Sequence, residues 1–226
     1  MGNAIEPEAM HDGGPNAGCA LEYVDLRDWL EEVKKRGDLK IVKGANWKSD
    51  IGQVVEVVCH DENTPTILFD EVQGSPKGFR LLINWFTGTR KNLTLGFPSQ
   101  LNKLELSQAY HRHTQNLSPI PHVIVENGPV FENITEGADI DITKFPSPLW
   151  NPEDGGRYIG TGCFNITRDP DSGWINCGTY RVMVHDEKRV GLYISPGKHG
   201  RIHRDKYMAN DKPMPVCVVV GSDPLS

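Results

Sequence analysis

The sequence lacks the features that mark membrane, secreted and nucleic-acid-binding proteins. No apolar run approaches the roughly 20 residues that a membrane-spanning helix needs, and residues 1–20 contain neither the basic nor the apolar region of a secretory signal. Basic residues number 24 against 30 acidic ones, which leaves a formal net charge of −6, whereas nucleic acids and anionic membranes select clustered Lys and Arg. We therefore expect a cytoplasmic protein with neither a membrane nor a nucleic acid as its partner.

Cysteine is scarce as well, and its spacing argues against two further classes. The five cysteines are odd in number and form no C-x-x-C pair, so neither a disulfide framework nor a structural zinc site is expected. The simplest explanation of this cysteine pattern is a protein of a reducing compartment. Glycine and proline are by contrast plentiful, at 23 and 16 residues, which favours a loop-rich β or α+β chain over a helical bundle.

Residues 21–120 predict a small α+β domain that follows a disordered arm at residues 1–20. The arm is small, polar and aperiodic. Asp25 is then a typical N-cap, and apolar residues follow at positions i, i+3, i+4 and i+7 of a helix that ends at Gly37. The other predicted elements are a helix at 51–59, strands at 66–70 and 78–84, and a helix at 99–113 with Ser99 as its N-cap.

Pro119 and Pro121 predict a domain boundary, because proline interrupts both helices and strands. Strands dominate after it, in a second domain at 121–226. The predicted elements are long strands at 158–168 and 174–185 joined by a DPDSG turn, a strand at 190–195, a helix at 198–207 and a buried strand at 216–220. A buried strand followed by Gly-Ser-Asp-Pro is typical of the interior of a domain, so we expect this domain to be incomplete and the chain to be the front part of a longer polypeptide.

The side chains most suited to chemistry lie at residues 154–203. Asn176 and His199 offer a carbonyl oxygen and an imidazole nitrogen, donors that suit a divalent ion such as Mn²⁺ or Mg²⁺. Arg181 can hold a carboxylate or phosphate through two parallel hydrogen bonds, and Lys198 adds a positive charge. By themselves these residues predict an anion-binding site.

The same residues also admit purely structural roles. An asparagine in a strand commonly lies at a surface or edge, Arg181 could form a surface ion pair, and Cys177 could be a small buried apolar residue. His203 is expected to cap a helix or face solvent. Strand geometry adds a condition, because Asn176 and Arg181 are five residues apart and an unbroken strand would point them to opposite faces. For both to serve one site, we expect a bulge, a sharp twist or a strand end near residues 177–178.

Three sequence motifs follow one another along the chain: D-G-G-R-Y-I-G-T at 154–161, W-x-N-x4-R at 174–181 and P-x-K-H at 196–199. Together with LRDWLEEVKKRGDL at 26–39 and PTILFDEVQGSPKGFRLLIN at 65–84, they resemble the UbiD-like family of prenylated-FMN-dependent (de)carboxylases. The resemblance covers residues 25–226. It implies an α+β fold, with the N-terminal α+β domain followed by a split β-barrel that binds the flavin and is incomplete here.

The resemblance also implies roles for particular residues. Asn176 and His199 would bind a divalent metal, Mn²⁺ or Mg²⁺, that offsets the charge of the prenylated FMN phosphate, with K⁺ nearby. Arg181 would contact the reactive part of the flavin and the substrate carboxylate, and would be the catalytic residue of this chain. The implied cofactor-binding residues are Thr161, Asn176, Cys177, Gly178, Thr179, Tyr180, Arg181, Lys198 and His199.

The implied activity is the reversible, non-oxidative decarboxylation of an aromatic or α,β-unsaturated carboxylic acid with release of CO₂. The family's third metal ligand and its catalytic acidic residues would lie beyond residue 226, so we expect this chain to be inactive alone. A flavin prenyltransferase would supply the cofactor, and the full-length protein would be a homo-oligomer. Two alternatives are a non-catalytic flavin-binding module or subunit that needs a partner chain, and an FMN oxidoreductase, although no G-x-G-x-x-G dinucleotide pattern supports the latter.

Overall fold

The structure is a computed structural model that describes residues 19–225 except 116, 119, 122 and 161. The disordered arm expected at residues 1–20 therefore lies almost entirely outside the described residues. Helix α1 (Leu26–Lys35) begins at the N-cap Asp25, whose side chain accepts hydrogen bonds from the backbone N–H groups of Arg27 and Asp28. Its apolar stripe is buried, so the predicted helix is confirmed.

The described residues of the N-terminal half form one three-stranded sheet and four helices. Strand β2 (Thr66–Asp70) lies in the middle, parallel to β1 (Leu39–Lys43) and antiparallel to β3 (Leu81–Ile83). Strand β3 is shorter than predicted, and β1 was not predicted. The remaining helices are α2 (Asp50–Val58), α3 (Arg90–Thr94) and α4 (Lys103–Thr114).

Helix α4 starts four residues after the predicted N-cap Ser99. Its true N-cap is Asn102, whose side chain accepts hydrogen bonds from the backbone N–H groups of Leu104 and Glu105. The Glu105 carboxylate in turn accepts from the Asn102 backbone N–H at 2.9 Å. This capping box satisfies donors that a helix start would otherwise leave unpaired, so it decides where the helix begins.

The two halves of the chain meet where α2 packs on the segment at 149–150. Gly52 of α2 is buried against the backbone carbonyl oxygen of Trp150, so close that no real Cβ atom could fit. Trp150 also packs on the apolar cluster that includes Ile51 and Phe69. A glycine is required here because the backbones are in direct contact.

Replacing Gly52 by alanine is therefore expected to destabilise the protein by about 1–3 kcal/mol, the usual effect of overpacking a core. The loss would appear despite the better helix propensity of alanine. Urea unfolding followed by circular dichroism measures it. Gly128→Ala is the matched control, because a Cβ atom there would meet nothing within 4 Å; equal stability of the two variants would contradict the prediction.

The C-terminal half contains two further three-stranded antiparallel sheets. One has β7 (Arg181–Val184) between β4 (Arg157–Gly160) and β8 (Val190–Tyr193). The other has β5 (Phe164–Arg168) between β6 (Ile175–Gly178) and β9 (Val216–Val219), and α5 (His199–Met208) packs against β5 and β6. Short 3₁₀ turns precede the sheets at Pro129–Phe131, Gly137–Asp139 and Ile142–Lys144.

Each of the two long predicted strands is in fact divided between sheets. The segment at 158–168 forms β4 and β5, and the segment at 174–185 forms β6 and β7. The strand end expected near residues 177–178 is confirmed, because β6 stops at Gly178 and the chain crosses to the other sheet through Thr179 and Tyr180.

Strand β9 is not the buried strand that its sequence predicted. Among the strands that the structure describes it pairs only with β5, and Val216 and Cys217 are exposed. The exposure of a strand's side chains depends on what packs on the faces of its sheet, which the hydropathy of the strand does not indicate. The α+β class is confirmed, and no sheet closes into a barrel among the described residues. No helix in this part of the chain combines the length and apolarity needed to cross a membrane.

Candidate functional site

Asn176 lies in a buried polar cluster between β5, β6 and α5. Its Nδ2 donates to Tyr180 Oη at 3.2 Å and to Thr167 Oγ1 at 3.4 Å. Thr167 stands directly opposite Asn176 in the β5–β6 ladder, so the strand register creates this contact. The Asn176 side chain is buried, and its Oδ1 accepts no hydrogen bond from any residue that the structure describes.

The Tyr180 hydroxyl joins this cluster to the first turn of α5. Tyr180 Oη accepts a hydrogen bond from the Gly200 backbone N–H at 3.1 Å. Gly178 and Gly200 both pack on the tyrosine ring, and a Cβ atom on either would lie within 3 Å of Oη. Two hydrogen bonds therefore connect Asn176 to the residue that follows His199.

The backbone that carries Tyr180 is held from the neighbouring strand. Asn165 is fully buried on β5, and its Nδ2 donates to the Tyr180 carbonyl oxygen at 3.1 Å. This bond fixes the crossover between β6 and β7, so the tyrosine side chain reaches α5 in one defined position. Asn165 was not predicted to have any role.

His203 is fully buried beneath His199, one helical turn later on α5. The expectation that it caps a helix or faces solvent is wrong, because this face of α5 packs against the sheet. Its Nδ1 lies 2.9 Å from Thr167 Oγ1, and its Nε2 lies 3.9 Å from Asp169 Oδ2. The Trp174 ring meets both imidazoles edge-on, at centroid distances of 4.7 Å from His199 and 5.1 Å from His203.

Asp169 is the charged end of the cluster. Its Oδ2 lies 2.7 Å from Lys206 Nζ, and its Oδ1 accepts hydrogen bonds from the backbone N–H groups of Asp171 and Ser172. The contact with the Lys206 ammonium, followed by the bonds from Ser172 and Asp171, holds the pKa of Asp169 far below its ordinary value. The same carboxylate raises the pKa of Lys206.

Replacing Lys206 by methionine is expected to lower the free energy of unfolding at neutral pH. A carboxyl group whose folded pKa is depressed contributes stability above its unfolded pKa of about 3.9 and loses it as the pH falls further. The deficit of the variant should therefore shrink below about pH 4, which urea titrations at several pH values measure. Lys212→Met, a lysine without an ion pair in the described part of the chain, is the control; a deficit that does not change with pH would contradict the prediction.

The predicted cationic residues lie outside the buried cluster. Arg181 begins β7 and is exposed, and none of the described residues forms an ion pair or hydrogen bond with its side chain. The alternative of a structural ion pair for Arg181 therefore has no support. Lys198 is the exposed N-cap residue of α5, next to the exposed His199.

A large cleft of about 1110 Å³ separates the two halves of the chain. Three consecutive predicted residues, Cys177, Gly178 and Thr179, line its C-terminal wall, and β3 and the aromatic ring of Trp85 line the other. Ligand pockets of proteins commonly have volumes of about 300–1,000 Å³, so the space suits a large cofactor. Thr161 lies outside the described residues, although its neighbours Gly160 and Gly162 line the cleft.

The structure thus brings some of the predicted residues together and leaves others apart. Asn176, Tyr180 and the first turn of α5 share one hydrogen-bonded cluster, whereas the residues at 177–179 face the cleft. Arg181, Lys198 and His199 are exposed and do not line the cleft. Sequence reasoning missed three members of the cluster, namely Thr167, Asp169 and His203. The i, i+4 spacing of the two histidines was the signal that could have indicated His203.

Another group of potential metal ligands lies on the surface of the N-terminal half. Glu56, Cys59 and His60 at the end of α2 have ligand atoms within 4.8 Å of one another, and all three are exposed. The donors of the Asn176 cluster differ from these, because an amide oxygen and an imidazole without a thiolate suit Mn²⁺ or Mg²⁺ better than Zn²⁺.

Two family profiles match most of the chain. They are described as the 3-octaprenyl-4-hydroxybenzoate carboxy-lyase N-terminal domain (UbiD_N), matched at 30–109, and the Rift-related domain of the same carboxy-lyase (UbiD), matched at 122–226. The pyrrole-2-carboxylic acid decarboxylase of Pseudomonas aeruginosa is 29% identical over 90% of this chain and 42% of its own length. A phenolic acid decarboxylase of Sedimentibacter hydroxybenzoicus is 29% identical over 91% and 44% respectively.

Solved structures give the same picture. Vanillic acid decarboxylase of Sedimentibacter hydroxybenzoicus in its closed form matches with a TM-score of 0.84 and 27% identity, over 91% of this chain and 44% of that one. HmfF from Pelotomaculum thermopropionicum, a UbiD-class enzyme in complex with prFMN, matches with a TM-score of 0.72 and 25% identity, over 88% and 45%. The chain spans less than half the length of the curated relatives it matches.

Proposed function

This chain belongs to the UbiD family of carboxy-lyases, and from that premise we propose that it is the cofactor-binding front part of a prenylated-FMN-dependent decarboxylase. The reaction would be the reversible, non-oxidative decarboxylation of an aromatic or α,β-unsaturated carboxylic acid. Several relatives are named as decarboxylases of such acids, among them pyrrole-2-carboxylic and phenolic acids. The catalytic acidic residues would come from outside this chain, which alone would have little or no turnover.

The main observation behind the proposal is the hydrogen bonding of the Asn176 amide. Its nitrogen is engaged by Thr167 and Tyr180, so its oxygen is the atom left available for a ligand. His199 begins the helix that Tyr180 contacts. An amide oxygen and an imidazole nitrogen fit Mn²⁺ or Mg²⁺ and would hold it against the cofactor phosphate, with K⁺ as a second cation.

We propose the same cofactor site for the other predicted residues, of which those at 177–179 line the cleft. The wall at 177–179 would face the flavin across the cleft, whose lining also includes aromatic side chains. Arg181 would hold the substrate carboxylate through two parallel hydrogen bonds, and Lys198 would add positive charge beside the phosphate. When bound, prenylated FMN supplies the electron sink that the loss of CO₂ requires. Thr161 would line the same pocket.

The proposal extends to the organisation of the whole protein. The domains would be 21–120 and 121–226, and the sheets of the second domain would be completed into a split barrel by further strands. The full-length protein would be a cytoplasmic homo-oligomer, and a flavin prenyltransferase would supply its cofactor. The alternative is a flavin-binding subunit completed by a partner chain, and one similar structure, ShVdcCD, is described with a truncated ShVdcD.

Co-expression of the complete open reading frame with a flavin prenyltransferase tests the proposal. The purified protein should show flavin absorbance, contain manganese and release CO₂ from aromatic or unsaturated acids. Absence of both flavin and metal would reject the proposal. Activity that appears only after a separately expressed C-terminal chain is added would favour the subunit alternative. Consumption of NAD(P)H without release of CO₂ would instead indicate an FMN oxidoreductase.

A further inference from the structure

We infer that Asp169, His203 and Thr167 are positioning residues that fix the orientation of the Asn176 amide, so that Oδ1 is the atom presented to a metal ion. The inference rests on the proposed metal-binding role of Asn176. It concerns three buried residues to which no role was assigned: Thr167 contacts that amide, His203 contacts Thr167, and Asp169 lies near His203.

A side-chain amide has two ends of almost the same shape, and only its hydrogen bonds decide which end points where. The Asn176 amide faces two hydroxyl groups, those of Tyr180 and Thr167. A hydroxyl group can both donate and accept, so neither one distinguishes NH₂ from C=O by itself. A coordinating amide binds a cation through its oxygen, so a rotated amide would turn its NH₂ group toward the ion.

His203 determines which end of the Asn176 amide faces Thr167. Thr167 has one proton to donate, and its Oγ1 lies 2.9 Å from His203 Nδ1. If Nδ1 carries no proton, Thr167 must donate to it and can then only accept from Asn176. The amide NH₂ group is the end of Asn176 that can donate. With the opposite imidazole tautomer Thr167 would accept from His203 and its own proton would be free for the amide oxygen, so the orientation of the amide would no longer be fixed.

Asp169 selects the tautomer of His203. Its Oδ2 lies 3.9 Å from Nε2, which has no hydrogen-bond partner among the described residues. The distance is too long for a hydrogen bond, but in a buried site a carboxylate attracts a proton on Nε2 and repels a lone pair there. Lys206 and the backbone N–H groups of Asp171 and Ser172 hold the carboxylate in place.

The direction of every bond then follows from one fixed end. The negative charge of Asp169 favours the His203 tautomer with its proton on Nε2, and Nδ1 then accepts from Thr167. Thr167 accepts from Asn176 Nδ2, and the amide oxygen is directed away from the cluster. Tyr180 agrees with this arrangement, because its Oη already accepts from the Gly200 N–H and can accept from Asn176 as well. Trp174 packs against the His203 ring and restricts the rotation of the imidazole.

The tautomer can be observed directly by ¹⁵N NMR of the labelled full chain at neutral pH. We expect a neutral His203 imidazole with the proton on Nε2 and none on Nδ1. We also expect the Asn176 side-chain NH₂ protons to be protected from exchange with water. A His203 imidazole protonated on Nδ1, alone or together with Nε2, would overturn the inference.

Thr167→Val keeps the shape of the side chain and removes the hydroxyl group. We expect faster exchange of the Asn176 NH₂ protons and Mn²⁺ affinity of the full-length protein lowered by about 10- to 100-fold, the usual effect of losing an outer-shell partner of a metal ligand. Thr167→Ser should restore both. Thr66→Val is the matched control, because Thr66 is equally buried but bonds a backbone carbonyl in the N-terminal half.

Unchanged Mn²⁺ affinity and NH₂ exchange in Thr167→Val would overturn the inference. A wild-type protein that binds no Mn²⁺ would instead reject the proposed function. In that case the His203 tautomer and the protection of the Asn176 amide still decide whether the positioning chain exists, so the two failures are distinguishable.

Discussion

Replacing Asn176 by leucine is expected to leave the full-length protein without bound manganese and without flavin. Leucine has the same branching at Cγ but no oxygen donor, so one of the two proposed ligands in this chain is lost. Removal of an outer-shell partner lowers metal affinity by about 10- to 100-fold, and removal of a ligand should lower it by more than 100-fold. Metal analysis and flavin absorbance of the purified variant, co-produced with a flavin prenyltransferase, measure the effect.

The control must separate loss of the metal from loss of stability, because leucine also removes one hydrogen bond each from Thr167 and Tyr180. Asn92→Leu is suitable, since Asn92 is equally buried and its Nδ2 donates to two backbone carbonyls in the N-terminal half. It should reduce stability but retain metal and flavin. A wild-type content of metal in Asn176→Leu would show that the amide is not a ligand.

Replacing Arg181 by methionine is expected to reduce decarboxylation by about 10²- to 10³-fold, the loss that follows removal of a donor that stabilises charge in a transition state. Arg181 is exposed and has no partner among the described residues, so its guanidinium is available for a substrate carboxylate. The metal should remain bound, because Arg181 is not among the proposed metal ligands. Release of CO₂ under saturating and limiting substrate gives kcat and KM separately.

The conservative variant Arg181→Lys tests the geometry of the interaction. Lysine keeps the charge but not the planar pair of donors, so its activity should fall between those of wild type and methionine. Arg189→Met is the control, because Arg189 is an exposed arginine of the β7–β8 turn whose partner is Asp186. Wild-type rates in Arg181→Met, or equal losses in both methionine variants, would remove Arg181 from the reaction.

The helix α1 and the strand β2 could be predicted because their signals are local. The N-cap Asp25 and the apolar stripe of α1 lie within about ten residues of one another, and β2 is buried along most of its length. Strand β1 was missed because its side chains are largely exposed and two of them are lysines. It forms a strand because it pairs in parallel with β2, and no local sequence pattern indicates that pairing.

The residues around Asn176 show the same difference between local sequence signals and tertiary contacts. Asn176 and His199 were predicted as metal ligands from ordered motifs, and the break in the strand near residues 177–178 was predicted from the five-residue spacing of Asn176 and Arg181. The contact of Asn176 with Thr167 depends on the β5–β6 register, and a shift of one residue would abolish it. The burial of His203 depends on which face of α5 packs against the sheet.

The sequence by itself determined the family, the α+β class and the side-chain types that a metal and an anion would require. These depend on residue order and on periodicity over a few turns or strands. Only the tertiary structure decided that β6 and β7 belong to different sheets, and that Thr167 meets a histidine 36 residues later. The physical reason is that the hydrogen bonds linking His203, Thr167 and Asn176 form between side chains that come into contact only after α5 has packed on the sheet.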